Sequence, residues 1–530
     1  MTVDNRATSA AWTFHNATKY VLTASSWDDD EFLVGDPALR QAAIGAQDPA
    51  IEPRDYKLYA TLAPIPLPRP RAAGTMSALD AITSDGDLPP GEVVPDLDSI
   101  ARLCLRSNGL LRTWTNRSGR TWEFRAAACT GARYHVELYV VCGDLPGLAA
   151  GVYHYGVHDH ALRRLRGGDF RDAVNIATGQ ESAIAMAPAI IVTTSTFWRN
   201  AWRYQARAYR HVYWDTGTVL GNLLAVAADS RLPARPVLGF VDADINALLG
   251  VDGEREAAIS LVALGRTAAP APRSEPVSPL ALETEPNSAG EIEFPEIGAM
   301  HAASSLASPA EVATWREPAH EPSAAGGHSG VIPLRPIPAG QLPAETIDDV
   351  IDRRRSFRKY DTVTALSFAT FSTVLERSGR GVRFDCPETD DAALTSRYLL
   401  VNRVDELDPG IYAVSADASS LTLIQAGDVS NLAFELACFQ EYAGEAHVNV
   451  YEMADLDRAL RRFGNRGYRV AQLEAAIAGA RLQLAAHALD LGAVGSTSLD
   501  DRVTDAVAPA TRDLSFMFVA VFGERRRPTA

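Results

Sequence analysis

GVYHY at residues 151–155 decides the fold, because its first three residues return 259 positions later as GIY at 410–412. Two further motifs repeat at the same offset. They are Gly168-Asp169 with Gly427-Asp428, and Ala208-Tyr209-Arg210 with Gly467-Tyr468-Arg469. Chance would rarely give one offset three times, so the sequence predicts two copies of one domain.

The residues around each tripeptide predict the same order of elements. Buried strands are predicted just upstream of both, as VELYVV at 136–141 and RYLLVNRV at 397–404. A long helix follows the first Tyr-Arg motif, roughly from Tyr204 to Ala228, and a twin follows the second. Small residues such as Gly221 and Gly479 would let the two helices pack closely, although a simple core helix explains them equally well.

These patterns divide the chain into three parts. Residues 1–266 hold the first copy and residues 345–530 the second. Residues 267–344 between them are rich in Pro, Ala, Ser and Glu and lack apolar periodicity, which is typical of a linker. Short apolar islands such as 297–300 are expected to dock on a domain.

Composition narrows the class of protein. The chain has 530 residues, of which 47% are hydrophobic, and a net charge of −16, so its surface would repel nucleic acid. Its five cysteines lack metal-ligand or disulfide spacing, and we interpret them as thiols of a cytoplasmic protein. No membrane segment is expected, and no metal site, since the histidines at 158–160 fall in a predicted surface hairpin.

Two basic runs are candidates for binding a phosphate group. Arg354, Ser356 and Arg358 lie in the run at 353–358, which follows a predicted helix. A second run, which includes Arg525 and Arg527, follows an apolar strand near the end of the chain. Guanidinium groups beside a hydroxyl suit a phosphate monoester, but a solvated helix end and a charged tail are equally ordinary interpretations.

The chain resembles the SagB/ThcOx-type dehydrogenases of the nitroreductase superfamily, including their tandem two-domain members. The resemblance rests on residues 14–20, 55–70, 129–141, 151–155 and 202–217, and the repeat extends it over nearly the whole chain. It implies an α+β fold in which a mixed, largely antiparallel sheet is flanked by helices. The two copies would then form an intramolecular pseudo-dimer.

The resemblance also implies a bound FMN at the interface between copies, with the phosphate held mainly by one copy and part of the ring by the other. The second copy keeps the phosphate residues, whereas the first has Ala81 to Asp87 there. The first copy keeps residues 129–133, which are expected to contact the ring and which we call the ring segment. In the second copy, residues 386–398 take this place and lack the glycine. One composite site is therefore expected, and its cofactor-binding residues would be Arg354, Ser356, Arg358, Cys129, Thr130, Gly131, Ala132, Arg133, Gly492, Gly495, Arg525 and Arg527.

Family resemblance further implies oxidation of peptide thiazolines or oxazolines to azoles, with a cyclodehydratase or another biosynthetic protein as partner. Where the oxidase branch carries Lys-Tyr, this chain has Arg203-Tyr204. Tyr204 is the candidate base if a cation lowers its pKa, and Arg203 could orient the substrate. Two alternatives stay open: a flavin dehydrogenase for another small molecule, and a degenerate scaffold without catalysis.

Overall fold

A computed structural model describes residues 4–21, 48–70, 74–84, 91–117, 119, 121–317, 330–386, 393–508 and 513–526. We call residues up to 266 the N-terminal half and residues from 330 onward the C-terminal half. Arg527 and residues 85–87 lie outside the described residues.

The N-terminal half is built on a seven-stranded sheet in the order β1-β6-β5-β4-β7-β9-β8, with β2 and β3 forming a separate hairpin. Its central strand β4 is buried along its whole length. The strands are β1 (Pro64–Pro66), β2 (Leu110–Thr115), β3 (Thr121–Arg125), β4 (Val136–Cys142), β5 (Gly151–Gly156), β6 (Ala161–Gly167), β7 (Ala189–Thr196), β8 (Ala234–Val237) and β9 (Glu256–Leu264).

The helices of this half include α7, which is buried on nearly every side and forms the centre of the molecule. It begins at Ala208 rather than at Tyr204, because Gln205 adopts a φ of 53° and separates it from the preceding helix. The helices are α1 (Ser9–Ala17), α2 (Ala78–Thr83), α3 (Leu97–Asn108), α4 (Arg171–Ala177), α5 (Ser182–Ala185), α6 (Phe197–Tyr204), α7 (Ala208–Asp229) and α8 (Asp242–Leu249).

The segment predicted as a linker contains ordered elements: α9 (Pro295–Ala303), α10 (Pro309–Arg316) and the short strand β10 (Val331–Pro333). Ile297 and Met300 of α9 are buried, as is Trp315 of α10, whose indole N–H donates to the Phe463 carbonyl. Strand β10 pairs with residues 420–422, so the sheet of the C-terminal half takes its edge strand from the predicted linker.

The C-terminal half repeats the first sheet in the order β10-β13-β12-β11-β14-β16-β15. Its further strands are β11 (Thr395–Val401), β12 (Gly410–Val414), β13 (Ser420–Ala426), β14 (Val448–Asp455), β15 (Gly492–Ser496) and β16 (Leu514–Gly523). Its helices are α11 (Ile347–Arg353), α12 (Phe368–Ser378), α13 (Ser430–Leu436), α14 (Glu441–Glu445), α15 (Leu456–Phe463), α16 (Arg466–Ala488) and α17 (Asp500–Val507).

Equivalent elements of the two halves are separated by the offset read from the sequence. Strand β4 begins at Val136 and β11 at Thr395, while α6 begins at Phe197 and α15 at Leu456, a shift of 259 in both cases. The prediction of two α+β domains is therefore confirmed. The sheets are expected to be mixed and largely antiparallel, and every pairing between the strands named above is antiparallel.

Helices α7 and α16 pack against each other at equivalent positions. A Cβ atom on Gly217 would collide with Ala476, and one on Gly221 would collide with Ala480. Both pairs are related by the 259-residue shift, and equivalent residues touch each other only where a two-fold axis passes between them. The glycines thus set the close approach that makes the chain an intramolecular pseudo-dimer.

Buried ion pairs join the halves around this axis. Arg207 and Arg210, at the start of α7, both bind the Asp500 carboxylate, and the Arg207 Nη1 to Asp500 Oδ2 distance is 2.9 Å. The related triad, offset by 258 or 259 residues, consists of Arg466, Arg469 and Asp242, with two contacts of 2.7 Å. Both carboxylates are buried, and burial alone would raise their pKa values, but the neighbouring guanidinium groups outweigh it and lower them.

Candidate functional site

The first predicted phosphate segment leaves helix α11 as extended chain. Thr346 caps the start of this helix by accepting from the Asp349 amide, and the helix ends at Arg353, because Arg354 after it has a ψ of 136°. The segment then runs beside the edge strand β15, since Ser356 bridges Ala493 and the Phe357 amide donates to the Ala493 carbonyl at 3.1 Å. Sheet pairing therefore fixes the backbone that carries these side chains.

Arg354 is the buried member of this segment and reaches across the axis. Its Nη2 donates to the Ala126 carbonyl of the N-terminal half at 3.1 Å, three residues before Cys129. Among the described residues no carboxylate pairs with the Arg354 guanidinium, and Arg112 donates to the Arg354 carbonyl. Burial lowers the Arg354 pKa to about 10, with further lowering by Arg112 and Arg355. Such a cationic pocket is suited to an anion.

His487 connects this segment to the second basic run. Its Nε2 lies 3.0 Å from the Arg355 carbonyl, and its Nδ1 lies 3.2 Å from the Arg525 guanidinium. Burial lowers the His487 pKa to about 3, and the charges of Arg354 and Arg525 lower it further. A neutral imidazole that donates from Nε2 and accepts at Nδ1 satisfies both contacts. The structure thus brings together the two basic runs that the sequence predicted separately.

Two other predicted phosphate-binding residues are more exposed to solvent than Arg354. Ser356 and Arg358 are exposed, and the Arg358 guanidinium lies 5.5 Å from the centre of the Tyr442 ring. Arg525 also approaches the exposed Asp490 at 3.1 Å. Arg112 and His487 were not predicted from the sequence, because Arg112 meets Arg354 across 242 residues and His487 meets Arg355 across 132.

The predicted ring segment of the N-terminal half is held by one buried carboxylate. Asp215 of α7 accepts from the Thr130 amide at 2.9 Å, from the Thr130 hydroxyl at 2.9 Å and from the Cys129 thiol at 3.1 Å. Burial and Asp215 both raise the Cys129 pKa well above its usual value, so the thiol stays protonated and donates. Helix α7 therefore holds the ring segment in place through Asp215.

His135 completes this cluster. Its ring nitrogens lie 2.8 Å from Asp215 Oδ2 and 2.8 Å from the Ser195 hydroxyl, and it is fully buried. The ligand atoms of Cys129, His135 and Asp215 lie within 4.8 Å of one another, but hydrogen bonds already connect them. We interpret the cluster as the support of the ring segment.

The backbone of the ring segment turns sharply at Gly131 and Ala132, whose φ angles are 61° and 54°. A side chain on Gly131 would collide with the Tyr204 hydroxyl, so the glycine allows the phenol to lie against this turn. The Arg133 side chain is turned away from the Gly131 turn. Its Nη1 lies 2.7 Å from Glu52, and its guanidinium lies 4.5 Å from the centre of the Trp202 ring.

The predicted catalytic pair lies beside this turn. Burial raises the Tyr204 pKa to about 12, although Arg203 opposes the shift, and the exposed Arg203 guanidinium lies 5.7 Å from the Tyr204 ring centre. The lowered pKa that a basic role requires is therefore not found. At neutral pH the phenol is protonated, and it can donate a hydrogen bond but cannot accept a proton.

Gly492 and Gly495, which are expected among the cofactor-binding residues, lie in a strand and not in an open loop. Gly492–Ser496 is the edge strand β15, and its backbone pairs with β16. The space beside Gly492 is filled by Phe357, and the space beside Gly495 by Phe518. These glycines allow aromatic rings to pack close, and a role in cofactor binding stays a prediction.

A known protein family matches both halves of the chain. The family model described as "Nitroreductase family" matches residues 113–266 and 351–523, one match in each half and together more than half of the chain. The chain belongs to the nitroreductase family. This family and fold imply an oxidoreductase. Among the helices of the described residues, none combines the length and apolar character needed to cross a membrane.

Three relatives add detail. The nitroreductase-like protein MJ1384 of Methanocaldococcus jannaschii is 27% identical over 143 residues, which cover 27% of this chain and 71% of that protein. The trifolitoxin-processing protein TfxB of Rhizobium leguminosarum bv. trifolii is 29% identical over 156 residues, which cover 27% of this chain and 39% of that protein. A crystal structure of a nitroreductase-like protein from Anabaena variabilis covers 98% of this chain and 99% of its own, with a TM-score of 0.74 and 24% identity.

Proposed function

We propose that the chain is an FMN-dependent oxidoreductase with one cofactor site shared by its halves. The single observation that carries this proposal is Arg354, a buried guanidinium of the C-terminal half that reaches the Ala126 carbonyl of the N-terminal half and has no carboxylate partner among the described residues. Arg354, Ser356, Arg358 and Arg525 would hold the phosphate, with Arg112 as a further cation. Residues 129–132 would face the ring system, whereas Arg133 binds Glu52.

Bound FMN would supply the two-electron chemistry. The chain's own residues position the reactants. Asp215 holds Thr130 and Cys129 in place, so the ring segment is fixed before any ligand binds. The neutral Tyr204 phenol beside Gly131 would donate a hydrogen bond to the substrate or cofactor, and the exposed Arg203 would attract an anionic group.

For the substrate, we propose a peptide azoline that is oxidised to an azole, with a cyclodehydratase or similar biosynthetic enzyme as partner. Support comes from the resemblance of the motifs and from the match to a protein whose name states that it processes trifolitoxin. The raised pKa of Tyr204 favours the second candidate, a dehydrogenase for another small molecule, because azoline oxidation needs a base that Tyr204 does not supply.

The first test measures flavin per chain. The purified protein should be yellow and release one FMN per polypeptide. Arg354→Gln should weaken FMN binding about tenfold to a hundredfold, since hydrogen bonds to charged groups contribute about 1.5–3 kcal/mol. Arg353→Gln is the matched control, because Arg353 lies in the same run but pairs with Glu345. A colourless protein that takes up no FMN would sink the proposal and leave the scaffold interpretation.

The second test separates the two enzyme candidates. A thiazoline-containing peptide is incubated with the flavin-loaded chain under air, and the two-dalton loss of mass that marks the azole is followed with and without a cyclodehydratase. The same preparation is assayed with NADH and a nitroaromatic compound. Azole formation supports the first candidate, whereas reduction of the small molecule alone supports the second.

A further inference from the structure

Cys129, His135 and Asp215 bring together the three kinds of donor atom that zinc prefers. A sulfur, a ring nitrogen and a carboxylate oxygen lie within 4.8 Å of one another. Along the chain Cys129 is 86 positions and His135 is 80 positions from Asp215, so the sequence shows no ligand spacing. The cluster exists only in the folded chain.

The C-terminal half shows what the support of a threonine requires. Glu474 is the counterpart of Asp215 by the 259-residue shift, and it accepts from the Thr395 amide at 3.0 Å and from the Thr395 hydroxyl at 2.9 Å. The counterpart of His135 in this half is Leu394. A carboxylate on the long helix therefore holds the threonine without an imidazole. The same support in the N-terminal half does not require His135, whose ring nitrogen is available for another role.

Outer contacts orient the two fully buried ligands. The Ser195 hydroxyl lies 2.8 Å from His135 Nδ1, and the Thr130 amide and hydroxyl both donate to Asp215 Oδ1 at 2.9 Å. These contacts leave His135 Nε2 and Asp215 Oδ2 facing each other at 2.8 Å. The Cys129 Sγ lies 3.1 Å from the same carboxylate oxygen. Metal ligands in proteins are held by outer contacts of this kind.

Charge and spacing both suit a doubly charged ion. A thiolate and a carboxylate carry two negative charges, so such an ion would make the buried cluster neutral. Donor atoms around a tetrahedral zinc ion lie about 3.4–3.6 Å apart, given bond lengths of about 2.0–2.3 Å, so the two hydrogen-bonded pairs need to separate by roughly 0.5 Å. We propose that Cys129, His135 and Asp215 bind one zinc ion. Cys129 is only partly buried, and a water molecule takes the fourth position beside it.

Binding exchanges a proton for the metal. The Cys129 thiol loses its proton to solvent as the bond between sulfur and zinc forms. The neutral His135 ring carries its proton on Nδ1, where the Ser195 hydroxyl accepts it, and Nε2 then binds the metal through its lone pair. Asp215 keeps its contacts to Thr130, so the ring segment stays in place and zinc binding does not require FMN.

The test measures zinc and flavin together on the purified full-length chain, and competition with a chromophoric chelator gives the zinc affinity. One zinc per chain is expected whether or not flavin is bound, so this proposal and the flavin proposal can fail separately. Cys129→Ser keeps a hydroxyl that can donate to Asp215 but removes the thiolate. It should weaken zinc binding at least about a hundredfold, because loss of an outer contact alone costs roughly 10–100-fold. Cys142→Ser is the matched control, since this buried thiol contacts the Ala149 carbonyl outside the cluster, and its zinc affinity should equal that of the parent.

Should Cys129→Ser fail to fold, cobalt(II) is bound to the parent in place of zinc. A thiolate ligand then gives a charge-transfer absorption in the near ultraviolet, which is read as the difference between the cobalt-loaded and zinc-loaded chains so that the flavin absorbance cancels. The proposal is overturned if the parent takes no zinc from the chelator, if Cys129→Ser binds zinc as tightly as the parent, or if the cobalt-loaded chain shows no charge-transfer absorption.

Discussion

Asp242→Asn should destabilise the chain strongly, because it removes the anion of a buried triad that joins the halves. The carboxylate accepts from Arg466 Nη1 and Arg469 Nη1, both at 2.7 Å, and from the Leu306 amide at 3.0 Å. An asparagine of nearly equal size would leave two guanidinium groups buried at 1% and 3% side-chain exposure without a compensating charge. Breaking a buried pair in this way costs about 3–5 kcal/mol.

The assay is urea unfolding followed by tryptophan fluorescence at pH 7, with Asp244→Asn as the matched control. Asp244 lies on the same helix α8 but is exposed, so its replacement should change the free energy of unfolding by less than about 0.5 kcal/mol. The equivalent change in the other triad, Asp500→Asn, should cost about as much as Asp242→Asn. A difference of under 1 kcal/mol between Asp242→Asn and Asp244→Asn would refute the role of the triad.

The same triad predicts a pH dependence. Burial alone would raise the Asp242 pKa, but Arg466 and Arg469 hold it well below its usual value. A carboxyl group whose pKa is lowered by folding stabilises the protein fully above the unfolded value of about 3.9, and this contribution is lost as the pH falls toward the folded value. The stability difference between the parent and Asp242→Asn should therefore be constant from pH 5 to 8 and shrink below about pH 4.

Three further changes test other parts of the site. Asp215→Asn removes the charge that holds Thr130 and should weaken FMN binding about tenfold in a fluorescence titration. Gly221→Val would collide with Ala480 at the helix crossing and should cost at least about 1–3 kcal/mol of unfolding free energy. Tyr204→Phe should leave the pH profile of turnover unchanged between pH 6 and 9, since the phenol, with its pKa raised to about 12, does not ionise there.

The repeat in the sequence was enough to predict the fold. An offset of 259 residues places Val136 against Thr395 and Phe197 against Leu456, so two equivalent domains follow without knowledge of any contact. The glycine at 221 also allowed close helix packing to be predicted. Such features depend on local pattern and on the repeat itself, both of which can be read along the chain.

Most contacts of the candidate site could not be predicted in this way. Arg354 meets Ala126 across 228 residues, and His487 lies between Arg525 and the Arg355 backbone. The Arg354 contact depends on how the halves pack, and the His487 contacts depend on the tertiary fold of the C-terminal half, neither of which a local pattern encodes. The Tyr204 pKa is a further example, because burial raises it more than the adjacent Arg203 lowers it.

The ion triads that join the two halves are equivalent, whereas the residues of the candidate ligand site differ between the halves. Physical chemistry explains this contrast. Each ion triad is buried, so the loss of one member from either half would leave an uncompensated charge at a cost of about 3–5 kcal/mol. Arg354, which follows α11, donates instead to the Ala126 carbonyl and pairs with no described carboxylate, so replacing it leaves no partner charge buried. A duplicated chain can therefore retain its pseudo-dimer while only one of its copies keeps the arginine-rich run.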